Sequence, residues 1–243
     1  MQRTIAGART TTTTRQTIRD FVTCLKFVPT GQKVQVKAAS ILSGITNLTI
    51  SAWVKPLGSQ ASSGGYIYSE RNASSGNDIL NFGISAFLAN TLIFKYRDDA
   101  GTLNSITSNA VITQFVWQHV AVVKAGTAIT FYVNGVAQGT GVLTATDTLT
   151  NSVVSLIGND PRDGNSSFSG FIDDVQISTT NLSSSNISSI YFAGTTGSSC
   201  VGRWKFDEGS GTTANDSTRT QSPGTITSAT YSTSVFMIPR TSA

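Results

Sequence analysis

The chain has 243 residues and a net charge of +4, and only 12% of its residues are charged while 39% are hydrophobic. This hydrophobic content is enough for a buried core and excludes an intrinsically disordered protein. The scarcity of charge, together with 22 glycines, disfavours a helical protein and favours many short strands joined by tight turns.

The first twenty residues form a basic arm. Its charge comes from four arginines and one aspartate, whereas the rest of the chain is close to neutral; the arginines are Arg3, Arg9, Arg15 and Arg19. Such a segment is typical either of an arm that docks on a partner or of a solvated tail, and four arginines are few for nucleic acid. It lacks the apolar stretch of a secretory signal peptide. We therefore interpret residues 1–20 as an assembly arm without a signal peptide.

The first half of the body contains short apolar segments separated by turn residues. In Leu48–Val54 the apolar side chains alternate with those of the other face, and Pro56 follows, which is the pattern of a strand. Pro29–Gly31 predicts a turn. The strands predicted in this half are Phe21–Phe27, Val34–Val36, Leu48–Val54, Tyr66–Ser69, Ile79–Ser85 and Thr91–Tyr96.

The second half contains the strongest strand patterns and one helix. Asn134–Gly135 is typical of a type I′ hairpin, because both central residues of that turn need a positive φ. The segment Asn181–Phe192 predicts a short helix that ends at Gly194. The predicted strands are Phe115–Lys124, Ala128–Val133, Val153–Ile157 and Phe171–Ile177. Strands at this close spacing predict an all-β sandwich or barrel.

Five segments of the body together resemble one known family. They read LTISAWVKP, VWQHVAVV, FYVNGV, IGND and FSGFIDDVQIS, and they occupy Leu48–Pro56, Val116–Val123, Phe131–Val136, Ile157–Asp160 and Phe168–Ser178. In this order they resemble the laminin-G-like, pentraxin-related branch of the concanavalin A-like lectin/glucanase superfamily. The resemblance implies an all-β fold, a two-sheet antiparallel jelly-roll sandwich with one short helix, for residues 21–192.

The segment that usually opens such a domain comes last in this chain. Cys200–Ile226 resembles that opening segment, and Thr23–Val36 resembles the strand pair that normally follows it. Three alternatives explain this order. The fold is circularly permuted and the tail closes its own sandwich, or the segment begins a truncated second copy, or its strand inserts into a neighbouring subunit. We favour permutation, because an orphan strand cannot form a core. Residues 193–199 are then a linker, 200–231 the returning segment and 232–243 a C-terminal tail.

The resemblance also implies a structural calcium ion. Ca²⁺ takes six to eight oxygen ligands, and the implied set is Asp174, Glu208, Asp216 and nearby carbonyls. The alternative is that Asp216 serves a turn or a helix cap while Asp173 pairs with an arginine.

A second, weaker calcium set is Asn159, Asp160 and Asp163, which is equally typical of a cluster of Asx turns. The chain also departs from the family, since the usual Phe-Asp-Gly after the second strand is Phe27-Val28-Pro29. An acidic loop residue is therefore missing.

The sequence predicts no catalytic centre. Glycosidases of the common mechanism need two facing carboxylates, but the only glutamates are Glu70 and Glu208, and no suitable acidic partner stands near either. His119 is the only histidine, and no nucleophile motif accompanies it. We expect His119 to pack in a central strand beside Trp117.

Two further groups of residues leave alternatives open. Four aromatic residues suit either a sugar-binding platform or the core; these are Tyr66, Tyr68, Tyr96 and Phe168. Cys24 and Cys200 precede strand motifs that a permuted sandwich would bring together, so they are either a disulfide or two buried thiols.

Three functions follow from these patterns. The first is a non-catalytic interaction module on a virus or phage particle, with protein subunits of a larger, oligomeric assembly as partners. The second is a carbohydrate-binding or adhesion module that recognises surface glycans. A polysaccharide-cleaving enzyme is a remote third. No apolar run reaches the roughly 20 residues of a membrane-spanning helix, so we expect a virion or extracellular location without a membrane span.

Overall fold

The computed structural model describes residues 17–19, 23–28, 31–37, 42, 44–60, 64–72, 78–86, 90–98, 100–145, 152–160, 166–233 and 236–238. Strands dominate this part of the chain. They are β1 Thr17–Arg19, β2 Cys24–Phe27, β3 Lys33–Lys37, β4 Leu48–Pro56, β5 Gly65–Asn72, β6 Asp78–Ile84, β7 Thr91–Arg97, β8 Leu103–Val111, β9 Gln118–Ala125, β10 Ala128–Val133, β11 Val136–Val142, β12 Ser152–Ile157, β13 Gly170–Ser178, β14 Cys200–Trp204, β15 Thr213–Ala214, β16 Gly224–Thr227, β17 Thr230–Ser232 and β18 Phe236–Ile238. The helix α1 spans Ser184–Ala193.

The strands form two antiparallel sheets. The first sheet has the order β11-β10-β9-β4-β13-β2-β17, with β14 also paired to β13. The second sheet has the order β15-β16-β3-β12-β5-β6-β7-β8. Strands β1 and β18 pair with each other as a separate ribbon. This two-sheet architecture with one helix confirms the predicted all-β jelly-roll sandwich.

The core lies between the two sheets and follows the period of two along each strand. In β4 the alternate residues Leu48, Ile50, Ala52 and Val54 are fully buried in the main apolar cluster. The side chains that the second sheet contributes to this cluster include the aromatic residues Phe82, Phe94 and Tyr96. Burial of each large side chain contributes roughly 1.5–3 kcal/mol, so this cluster supplies the main driving force for the fold.

The tail completes this core and the first sheet. One edge of β13 pairs with β4 along its length, while its other edge is shared. The first half of that shared edge, Gly170–Ile172, pairs with β2, and the second half, Val175–Ser178, pairs with β14. Strands β14 and β2 therefore lie end to end, and the Thr23 hydroxyl donates to the Phe206 carbonyl at 2.5 Å where they meet.

Together β14 and β2 form one interrupted strand, which the tail enters in cis. Trp204 and Phe206 of the tail are fully buried in the same cluster as the body residues. The division of the chain into arm, body, linker, returning segment and C-terminal tail stays a prediction.

Several predicted elements differ at their ends for identifiable reasons. The helix begins at Ser184 instead of Asn181, because Ser183 is its N-cap in a capping box with Asn186. It ends, as predicted, at Gly194, which has a left-handed φ of 61°. The strand predicted from Phe115 begins only at Gln118, because Phe115 has a φ of 64° and lies in a turn.

Among the strands that the sequence patterns missed, two are long. Leu103–Val111 and Val136–Val142 contain many Ser, Thr, Asn and Gly residues and are exposed or half-buried at all positions but one. Both lie at the edges of their sheets, where the pattern of buried and polar residues is weakest. Among the described residues no helix is long and apolar enough to cross a membrane.

Candidate functional site

Asp174 forms a buried ion pair with Arg203 of the tail. The Arg203 Nε donates to Asp174 Oδ1 at 2.7 Å and its Nη2 donates to Oδ2 at 2.8 Å. The remaining guanidinium donors reach the Thr196 hydroxyl at 2.7 Å and the Gly194 carbonyl at 3.1 Å. Asp174 is 4% exposed and Arg203 is 5% exposed. Burial opposes the charged guanidinium, but Asp174 outweighs it, so the pKa of Arg203 is raised.

A β-bulge directs the Asp174 carboxylate toward this arginine. The register between β13 and β4 shifts between Asp173 and Gln176, and Asp174 has a φ of 44°. Bulges commonly re-aim a side chain in this way. The ion pair joins β13, β14 and the end of α1, and it fixes the tail to the body.

Asp216 organises a turn within the tail. Its carboxylate accepts hydrogen bonds from the backbone N–H groups of Arg203, Thr218 and Ser222 at 2.9–3.0 Å. Burial works to raise the pKa of Asp216, but these hydrogen bonds outweigh it and lower the pKa. Asp216 therefore has the turn role that the sequence analysis gave as the alternative to calcium.

Glu208 is likewise engaged inside the tail. Its Oε1 accepts from the Asn215 backbone N–H at 2.6 Å, and its Oε2 accepts from the Tyr231 hydroxyl at 3.0 Å. Burial and the neighbouring Glu208 raise the pKa of Tyr231. Two clefts of about 370 and 280 Å³ border this region, and they share Asn215 in their lining.

These three residues, as arranged here, do not form a calcium-binding group. Both oxygens of Asp174 face the guanidinium of Arg203, whereas Glu208 and Asp216 accept hydrogen bonds from the tail. Within the described ranges, no three His, Cys, Asp or Glu side chains lie close enough together to hold a metal ion. Calcium at this position stays a prediction from the resemblance.

The second predicted set is only partly described. Asn159 and Asp160 are 2% and 1% exposed, and the Asn159 Oδ1 accepts from the Asp160 backbone N–H at 2.7 Å. Asp163 lies outside the described residues, and so do Arg3, Arg9 and Arg15 of the arm, while only the backbone of Arg19 is described. The calcium and assembly roles of these residues stay predictions.

Four aromatic residues suited either a sugar-binding platform or the core on sequence grounds, and the structure places them in the core. Tyr66, Tyr68, Tyr96 and Phe168 are each 0% exposed. Tyr68 also donates to Glu70 at 2.6 Å, and burial followed by the nearby Glu70 raises the Tyr68 pKa well above its usual range. None of these four rings can contact a ligand at the surface.

The outer face of the first sheet, which points away from the core, is covered at one end by α1. Helix residues Ile187 and Ile190 pack with Leu182 on the sheet residues Ala121, Val123 and Tyr132. Next to this contact the Trp53 ring lies 5.5 Å from both His119 and Tyr191. We call this part of the face the helix-covered half.

The other end of the same face is open and carries lysines and aromatic rings. Phe171 of β13 lies directly opposite Lys26 of β2 and Lys55 of β4. Opposed residues share a face, and the next set in register, Leu25, Val54 and Ile172, points into the core. The two lysines and Phe171 therefore point outward.

Two more aromatic residues extend this surface. The Trp117 ring lies 6.2 Å from the Phe171 ring at an interplanar angle of 39°. Phe115, which is 62% exposed, lies at the same end because its N–H donates to the Pro56 carbonyl at 2.7 Å. We call Lys26, Lys55, Phe115, Trp117 and Phe171 the lysine–aromatic strip.

The backbone at Phe115 adds an independent signal. A bulky residue with a φ of 64° costs roughly 1–2 kcal/mol, and such strain tends to persist at functional positions. Here the strained backbone carries a side chain of the strip that is exposed instead of buried. The sequence patterns missed this surface, because they place Phe115 and Trp117 within one strand and give no reason to group Phe171 with the lysines.

Glu70 and His119, two of the residues considered for catalysis, are withdrawn from solvent. Glu70 is 0% exposed, and its carboxylate accepts from Tyr68 and, at 3.3 Å, from Ser155. His119 is 1% exposed and packs against the Trp53 ring. A substrate at the surface reaches neither group.

The two cysteines are free thiols. Cys24 starts β2 beside the first half of β13, whereas Cys200 pairs with Ser178 at the far end of β13. Several residues of extended strand separate these ends, so the sulfur atoms cannot meet. Burial, followed by the nearby Asp173, raises the pKa of Cys24 to about 12.

A family model described as the concanavalin A-like lectin/glucanase superfamily matches residues 29–188. A comparison with curated protein sequences gives no match.

Three solved structures show the same fold at low sequence identity. A candidate carbohydrate-binding protein from Bacteroides ovatus is 13% identical over 88% of this chain with a TM-score of 0.68, and this chain spans 60% of that protein. The heptameric SAP-like pentraxin from Limulus polyphemus is 19% identical over 90% of this chain and 96% of its own, with a TM-score of 0.57. The Ruminococcus gnavus IT-sialidase CBM40, bound to α2,3 sialyllactose, is 17% identical over 71% of this chain and 99% of its own, with a TM-score of 0.57.

Proposed function

The chain belongs to the concanavalin A-like lectin/glucanase superfamily, and from this premise we propose that it is a non-catalytic glycan-binding module. The observation that carries the proposal is the lysine–aromatic strip at the open end of the first sheet. Two of the structural neighbours add support, since the Bacteroides protein is named for carbohydrate binding and the CBM40 domain has a bound sialylated sugar. At such low sequence identity their similarity supports the fold alone, and the support for the function comes from the strip.

The strip offers the two kinds of contact that sugars need. A pyranose ring presents an apolar face of C–H groups, which packs on an aromatic ring, and a rim of hydroxyls, which bind polar groups. Trp117 and Phe171 supply two rings inclined at 39°. Lys26 and Lys55 stand on either side of Phe171. The tail clefts, in contrast, are lined by polar residues and Pro223 without an aromatic ring among the lining residues described.

The same geometry supports a binding role without catalysis. Hydrolysis of a glycosidic bond by the usual route needs two carboxylates about 5–9.5 Å apart on either side of the sugar. The residues of the strip include no carboxylate, and Glu70 lies inside the core. The module therefore holds a sugar chain without cutting it.

A glycan array with one matched pair of variants tests the proposal. Wild-type protein should bind a set of glycans, and Trp117→Ala should weaken that binding tenfold or more, as expected for a central aromatic contact. Phe192→Ala is the control, because Phe192 is an aromatic residue on the helix with 37% exposure. It should bind as the wild type does. Thermal melts of both variants establish that they are folded.

Two results count against the proposal. If no glycan on the array binds, the proposed function is wrong. If both variants lose the same glycan affinity, the strip is not the binding site. Release of shorter sugars from any bound polysaccharide contradicts the non-catalytic part.

The location of the protein on a virus or phage particle and its oligomeric partners are further proposals. A surface location suits a glycan ligand, and the basic arm suits docking on an assembly. Light scattering of the full chain, alone and mixed with candidate shell proteins, tests the proposed assembly separately from glycan binding.

A further inference from the structure

We infer that the glycan bound by the lysine–aromatic strip is acidic and that Lys26 and Lys55 hold its carboxylate. This inference rests on the glycan-binding function proposed above and specifies its ligand class. Its starting point is the register of three neighbouring strands, in which one aromatic residue stands between two lysines.

The lysines flank the ring at the spacing of adjacent strands. Phe171 is opposed by Lys26 on one side and by Lys55 on the other, and neighbouring strands lie about 4.8 Å apart. The two Cα atoms are therefore about 10 Å apart, and long side chains from both can reach one group above the ring. The Lys55 Nζ lies 5.8 Å from the centre of the Phe171 ring.

The hydrogen-bonding capacity of this arrangement favours an anion. Each ammonium group has three donors and no acceptor, so the pair cannot accept bonds from the hydroxyls of a neutral sugar. A carboxylate, in contrast, accepts from both groups and gains charge-assisted hydrogen bonds. Thr230 lies opposite Lys26 on the same face and is exposed, so its hydroxyl is placed to bind a neighbouring sugar hydroxyl.

The negative charge nearest along β13 does not cancel this preference at the surface. Asp173, two residues beyond Phe171 on the same strand, is 0% exposed, and its Oδ1 accepts from the Asp174 backbone N–H at 2.9 Å. The exposed charges of the strip are both positive. An apolar ring between two cations suits a sugar acid, which has a carboxylate on one side of a ring with apolar C–H groups.

Matched pairs of acidic and neutral sugars test the inference. The probes are oligogalacturonate against the same oligosaccharide with its carboxyl groups reduced, and sialyllactose against lactose. Titration calorimetry should show that at least one acidic member binds 10-fold or more tightly than its neutral partner. The double variant Lys26→Gln/Lys55→Gln should lose roughly 10- to 100-fold of that affinity, and its loss of affinity for the neutral partner sugar should be smaller.

A control variant separates local from general charge. Lys33→Gln/Lys205→Gln removes the same charge from β3 of the second sheet and from the tail, and it should bind acidic sugars as the wild type does. Equal losses in both double variants overturn the inference, as does equal affinity for acidic and neutral members. If the array in the previous section shows neutral glycans alone, the acidic ligand is wrong while glycan binding stands. If it shows none, the proposed function itself fails.

Discussion

Two parts of the first sheet's outer face have opposite character, one under the helix on β9 and β10 and one open on β2, β13 and β4. At the helix-covered half, small side chains such as Ala121 and Val123 leave room for Ile187 and Ile190 of α1. At the other end, β4 and β13 present Lys55 and Phe171 to solvent, and Trp117 precedes β9. One pleated surface is thus divided into a part that stabilises the fold and a part that is available to a ligand.

This division predicts that stability and binding can be changed separately. Substitutions under or around the helix should lower the free energy of unfolding without altering the affinity of the folded protein. Substitutions in the strip should do the reverse.

The largest effect is expected at the ion pair beside the end of the helix. Arg203→Met leaves the Asp174 carboxylate buried without its guanidinium, which costs about 3–5 kcal/mol of unfolding free energy. Urea denaturation measures the loss. The double variant Arg203→Met/Asp174→Leu removes both charges and should recover most of it. No recovery would show that the pair acts through its contacts with Gly194 and Thr196 instead.

The helix contact itself should be the next most sensitive. Ile187 is 0% exposed against the sheet, so Ile187→Ala should destabilise the protein by about 2–4 kcal/mol through lost burial and a cavity. Glycan affinity, measured where the variant is still folded, should equal that of the wild type. A parallel loss of affinity would mean that the two halves are coupled.

The strip should show the opposite behaviour. Phe171→Ala removes the ring between the lysines and should weaken glycan binding about tenfold, while the free energy of unfolding changes by about 1 kcal/mol because the ring is only half-buried. Calorimetric titration and urea denaturation of the same preparation give both values. A large loss of stability with unchanged affinity would reverse the assignment of this half.

Acid should loosen the tail before the body. The pKa of Asp216 is below its ordinary value near 3.8, because hydrogen bonds to the carboxylate outweigh its burial. Its contribution to stability is therefore present above about pH 4 and is lost as pH falls through the folded-state pKa. Near-ultraviolet spectra of Trp204 should change first on acidification, and Asp216→Asn should flatten that part of the pH profile. An identical profile in the variant would contradict this role.

The smallest expected effect is that of a chelator. Because Arg203 already faces both Asp174 oxygens, EDTA should leave the melting temperature and the glycan affinity unchanged. A lowered melting temperature that added Ca²⁺ restores would support the calcium site implied by the family resemblance. The measurement needs only the wild-type chain.

The sequence predicts the central strands well because they combine two signals. In Leu48–Val54, alternation and the following Pro56 agree with burial against the core, and the structure has β4 there. Edge strands lack the strong burial that makes this alternation visible. Leu103–Val111 reads LNSITSNAV and is mostly exposed, so its pairing with β7 comes from the neighbouring strand and not from its own pattern.

The candidate site depends on relations that spacing along the chain does not contain. Lys26, Lys55 and Phe171 meet only once β2 and β4 pair with opposite edges of β13. Asp174 meets Arg203 only because a bulge turns its carboxylate. The family resemblance of LTISAWVKP and FSGFIDDVQIS was the one sequence signal that β4 and β13 belong to the same sandwich. The sequence contained no signal for the bulge.

The interrupted strand has a consequence for synthesis on the ribosome. The residues that cover the open half of the β13 edge, Cys200–Trp204, follow all of the body in the chain. Until they emerge, the nascent body exposes unpaired backbone groups along β13 and the empty socket of Trp204, which are a template for wrong pairing. We therefore expect a nascent chain halted before residue 200 to be held by chaperones, and its release to coincide with arrival of the tail.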